Sequence, residues 1–143
     1  MPSAHADNNL KQFQWQNRLL LIFTPERRNT DFQKMMRASQ KHQEGFVERD
    51  LLRISVIRGD ESVTVHGAPA PEAGYAGLPA PEQLYDRYNI DESRFAALLI
   101  GKDGEVKARW SHPVAINKIF AEIDAMPMRR REIEKRDNED NWL

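Results

Sequence analysis

The sequence predicts a single α/β domain: a central mixed sheet of parallel strands closed by an antiparallel hairpin, with helices on both faces. Three observations carry that expectation. The stretch Phe95 to Trp110, FAALLIGKDGEVKARW, reads as two strands folded about Lys102-Asp103-Gly104, and Asp-Gly suits hairpin turns because they need positive φ. Arg18 to Pro25, RLLLIFTP, holds five successive apolar residues, too many for a strand wetted on one face and apt for one covered on both. Stripes of apolar residues at helical spacing occupy the segments between and after the strands.

Taken in order, residues 1–12 are polar and read as a flexible N-terminus. Leu10 and Phe13 are the first packing candidates, and order is expected to start near Trp15. The domain proper is expected over 13–136, with a polar tail over 137–143. The apolar run from Leu19 to Phe23 is the central parallel strand. Pro25 ends it, and Thr30-Asp31-Phe32-Gln33 has the Thr-x-x-Gln form of a capping box. That predicts a helix from Thr30 to about Glu48 or Arg49, with Phe32, Met35, Met36, Ser39, Gln43, Phe46 and Val47 along one stripe.

Leu51 to Arg58 alternates Leu52, Ile54 and Val56 with Arg53 and Ser55, the pattern of a second strand nearer an edge with a less buried side. A short strand over Ser62 to His66 comes next, then a surface loop, Gly67 to Pro81, holding four of the eight prolines and three glycines. Pro81 suits the first helical position, and Leu84, Tyr85 and Tyr88 face inward on a short helix ending near Asn89. His112-Pro113 opens the last helix, with the stripe Ile116, Ile119, Phe120 and Ile123; Pro127 should interrupt it.

Composition excludes more than it identifies. Forty per cent of the 143 residues are apolar and 30% charged, with 21 basic against 22 acidic, so net charge gives no support to a nucleic-acid or membrane partner. No apolar run approaches the ~18–20 residues that span a bilayer. There is no cysteine, which removes disulfides, zinc-thiolate sites, CxxC exchange and thiol peroxidase chemistry. His5, His42, His66 and His112 lack metal-ligand spacing, and Ser111-His112 has no nucleophile elbow. No cofactor is called for.

The order of elements resembles the thioredoxin-like fold. WQNRLLLIF from Trp15, ERDLL from Glu48, LLIGKDGEVK from Leu98 and IDAMPMRRRE from Ile123 together resemble a peroxiredoxin-like domain of unknown function. That domain occurs in bacterial, often exported, proteins and in vertebrate extracellular-matrix sushi-repeat proteins. The resemblance implies a periplasmic or secreted location, although this sequence shows no leader beyond the small-x-small triplet Ala4-His5-Ala6. In peroxiredoxins the reactive cysteine follows a threonine at the start of the first helix. The matching position here falls on Phe32 or Gln33, so the resemblance implies the fold while the residues contradict the peroxidase.

The expected function is therefore a non-catalytic binding or interaction module with a protein partner. The alternative is an enzyme or small-anion-binding protein using a non-thiol site at the helix entrance, where Thr24, Arg27, Arg28 and Thr30 are the candidate ligand-binding residues. Guanidinium groups beside helix amides suit an anion. A third reading gives Arg129 to Arg131 a phosphate contact, but the acidic residues that follow dilute the field, and specific nucleic-acid binding is not expected. Lys102 and Asp103 read as solvated turn residues. Trp15 and Trp110 read as core or half-buried residues, and Trp142 as a candidate contact.

Overall fold

The computed structural model describes residues 10–67 and 75–140. Its five-stranded mixed sheet has the order β3-β2-β1-β4-β5, with β1 over Arg18–Thr24, β2 over Leu51–Ile57, β3 over Thr64–His66, β4 over Ala96–Ile100 and β5 over Val106–Trp110. β1 lies at the centre, parallel to β2 and antiparallel to β4, and all of its residues are buried. A run of adjacent apolar side chains can be buried only where both faces are covered. Leu19, Leu21 and Phe23 join Leu52, Ile54 and Val56 in one core. The alternate residues, Leu20 and Ile22 among them, point to the opposite face and are equally buried.

Among the described residues three α-helices complete this part of the chain: α1 over Thr30–Lys41, α2 over Gln43–Glu48 and α3 over Pro81–Tyr88. α3 covers the Phe23 face, where Tyr85 meets the Phe23 ring edge-on at 5.1 Å. α2 covers the other, where Phe46 lies beneath the Arg53 guanidinium at 5.5 Å. The chain divides into two units after Pro113. The second contains α4 over Ile116–Asp124 and α5 over Pro127–Asp140, with Ile116, Ile119, Phe120 and Ile123 buried as their spacing predicts. Pro127 interrupts the helical run and starts α5, where its missing N–H costs nothing.

The hairpin turns where the sequence places it, about Lys102-Asp103-Gly104. Gly104 N–H donates to the Gly101 carbonyl at 3.0 Å and Gly101 N–H to Glu105 at 2.9 Å, with Gly104 at φ +86°. A type I turn followed by a left-handed glycine gives that geometry.

Several expectations are corrected. The cap of α1 is Asn29, whose Oδ1 accepts from Phe32 N–H at 3.0 Å; Thr30 is already helical, and Gln33 turns to the Arg27 carbonyl instead of closing a capping box. The long first helix breaks at His42, which ends α1 and precedes α2, and after the break Phe46 stays buried while Val47 leaves the expected stripe and is exposed. The last helix starts at Ile116, not at Pro113. Order is present before Trp15, in a 3-10 turn over Lys11–Phe13 that buries Phe13. Trp15 itself is 59% exposed, held at φ 67° with its N–H on the Lys102 carbonyl at 2.6 Å. The expected less buried side of β2 does not exist, because Arg53 and Ser55 are buried with the rest. Trp110 is half-buried as expected, while Trp142, His5 and residues 68–74 of the Gly67 to Pro81 loop lie outside the described residues.

Candidate functional site

The end of β1 and the entrance to α1 hold the four residues that the sequence singles out. Thr24 is fully buried, and its hydroxyl is engaged locally, donating to the Glu26 carbonyl at 2.7 Å and accepting from Glu26 N–H at 3.4 Å. Its carbonyl receives Arg58 N–H at 3.0 Å and the Tyr85 hydroxyl at 2.9 Å. Arg27 is 70% exposed and paired with Asp60 at 2.6 Å. Arg28 and Thr30 face solvent. The four residues therefore follow one another around a single bend, but the structure does not converge their polar groups on one point. Of the two residues at the cysteine position, Gln33 is exposed and Phe32 is buried at 8% exposure. At Phe32, the first of these two positions in the chain, an aromatic ring is packed into the interior.

Beside this bend lies a hollow of about 270 Å³ lined by Arg58, Gly59, Asp60, Glu82, Tyr85 and Glu92. Arg58 pairs with Glu92 at 3.3 Å, so the lining is left with an excess of carboxylate. Burial pushes the Tyr85 phenol up to about 12, with Arg58 opposing and Glu92 adding to the shift. It keeps its proton at neutral pH and serves as a donor to the Thr24 carbonyl, not as an acid or base. Among the described residues no three His, Asp or Glu side chains gather as a metal site.

Away from the entrance, the charged residues read as solvated surface hold the structure together. Lys102 pairs with Asp50 at 2.8 Å and is itself largely buried. Asp103 receives Lys107 at 2.7 Å; burial would raise its carboxyl, but the bonds from Lys107 and the Glu105 amide hold it below the usual range. Arg129 is buried and bonds Asp124 at 3.0 Å, which takes it out of any surface cluster, while Arg130 and Arg131 are exposed.

Sequence reasoning missed the side chains along β2 and β3. Arg53 is 4% exposed. Among the described residues its side chain makes one hydrogen bond, a long one from Nη1 to Gln43 Oε1 at 3.3 Å, and its Nε has no acceptor. Burial lowers its pKa. His66, its direct cross-strand neighbour, is half-buried with Nε2 at 3.1 Å from the Ser55 hydroxyl; burial, then Arg53, lowers its pKa. The alternation of apolar and polar residues in β2 placed Arg53 and Ser55 on one face. It carried no sign that α2 covers that face.

This geometry defines a cysteine-free domain of the thioredoxin and peroxiredoxin-like fold. The fold is shared with a reduced 2-Cys peroxiredoxin of Plasmodium vivax, at 21% identity and a TM-score of 0.59, over 85% of this chain and 84% of that one. Thioredoxin peroxidase I of Plasmodium yoelii is similar at 20% identity and a TM-score of 0.58, over 85% and 79%. At such identities the likeness is one of fold. Residues 9–132 match the model of the family described as Domain of unknown function (DUF4174), and the chain belongs to that family. It is also 28% identical over 138 residues to coiled-coil domain-containing protein 80 of Danio rerio; the match covers 89% of this chain but only 16% of that protein's length.

Proposed function

We propose that this domain is a non-catalytic interaction module built on a peroxiredoxin-like frame. The observation that carries the reading is the burial of Phe32 at the helix entrance, where an enzyme of this fold would need an open site and a reacting group. The rest of the bend supports it, since the Thr24 hydroxyl is spent on Glu26 and Arg27 on Asp60. Arg28 and Thr30 are exposed and do not line the neighbouring hollow. On this reading Arg27, Arg28 and Thr30 belong to surface, and a partner is engaged through exposed apolar residues such as Trp15 and Val47.

Two measurements test the proposal. Purified protein should consume no peroxide with a thiol reductant above a denatured control, since no residue can cycle through a sulfenate. A partner captured from the native host on immobilised domain should be displaced by free domain and lost with Trp15→Ala. Turnover of peroxide, or capture that ignores Trp15 and responds instead to Arg27→Ala, would overturn the reading.

A further inference from the structure

From Arg53, Gln43, Ser55 and His66 we infer a binding site for one small oxyanion, a carboxylate or phosphate in class, on the face of β2 and β3 that α2 covers. The argument starts from what burial demands of a guanidinium. A buried arginine is ordinarily paired with a carboxylate or fully hydrogen-bonded, because removing its charge from water is costly. Arg53, 4% exposed, meets neither condition among the described residues. It has the single 3.3 Å bond to Gln43, the Phe46 ring at 5.5 Å, and an Nε that donates to nothing.

Its neighbours add donors, not negative charge. His66 is the direct partner of Arg53 across the β2–β3 ladder, and Ser55, two residues along β2, lies on the same face and within 3.1 Å of the imidazole. Gln43 is held in place by its own bond to the Gly67 carbonyl at 2.6 Å. A guanidinium, an imidazole and a hydroxyl side by side, with no carboxylate among them, make a donor set matched to an oxyanion. A bound anion would give the guanidinium its missing acceptor and would favour protonation of His66, which burial and Arg53 now oppose.

The test is a titration of the intact chain with sodium phosphate and, separately, sodium acetate, each against sodium chloride at equal ionic strength. Arg53 Nε–H and the His66 ring are followed by NMR, and the melting temperature in parallel. Saturable shifts at both side chains are expected, with a melting temperature that climbs with the logarithm of anion concentration. Response to phosphate alone would assign a phosphate site, and response to both a general oxyanion site. Arg53→Met should stay folded and lose the response, because an apolar side chain of similar length removes the buried charge; His66→Gln should weaken binding several-fold. Wild-type protein that answers phosphate and acetate no more than chloride would overturn the proposal, as would a response that survives in Arg53→Met.

Discussion

The entrance to α1 and the α2-covered face of β2 differ in how each treats its arginines. At the entrance Arg27 is mostly in water and has a carboxylate partner, while the interior is closed by Phe32. On β2 the relation is reversed: Arg53 is inside, with an incomplete set of acceptors among the described residues. A surface ion pair contributes little, about 0–1 kcal/mol, whereas an under-satisfied buried charge is a standing cost. The difference teaches that unspent binding capacity lies away from the bend where the peroxiredoxin-like frame would direct attention.

The spine beneath both regions is β1, and the largest effect is expected there. Leu21→Asp places an unpaired carboxylate at a fully buried position, a cost of more than about 4 kcal/mol. Circular dichroism should find the variant unfolded without denaturant, and cooperative urea unfolding near wild type would contradict the two-sided burial of β1. Phe32→Ala tests the entrance itself. If the ring is core, its removal costs about 3 kcal/mol; a cost under about 1 kcal/mol, read from the shift in urea midpoint, would mean that the ring lines an open site. Asn29→Ala should cost roughly 1 kcal/mol through loss of the α1 cap, and Thr30→Ala much less. The reverse order would restore the capping box that Asn29 displaces.

The smallest effect concerns pH and sharpens the β2 side. The pKa of His66 is lowered in the fold, so the unfolded chain binds the extra proton first as pH falls below its ordinary value of about 6.5. The stability attached to His66 is therefore complete above about pH 6.5 and is lost as pH falls through the lower folded value. Melting temperatures of wild type and His66→Gln should diverge above that window and converge below it. With an oxyanion bound, the convergence should shrink.

How much of this was legible in the sequence depends on range. The five apolar residues of β1 and the Asp-Gly of the hairpin are local signals that tertiary packing reinforced, and β1, β4 and β5 all form where expected. Pro127 was equally local. The α1 cap was misread because Asn29 and Thr30 are both good capping residues one position apart, and the choice between them is made by the path of the chain from Thr24. Arg53 was not legible at all. Alternation assigns a strand's residues to faces, but whether α2 or water covers a face is decided by residues seven to ten positions away, Phe46 and Gln43 among them. Trp15 was misjudged for the same reason, since its exposure follows from a backbone reversal fixed on Lys102.

One measurement tests the contrast between the two arginine regions most directly: a map of backbone and arginine side-chain NMR shifts as phosphate is added, read across the whole chain. The account predicts saturable changes at Arg53, Ser55 and His66, with Arg27, Arg28 and Thr30 unmoved beyond the sodium chloride control. Saturable changes centred on Arg27, Arg28 and the first amides of α1, with Arg53 silent, would contradict it and place a ligand site at the helix entrance.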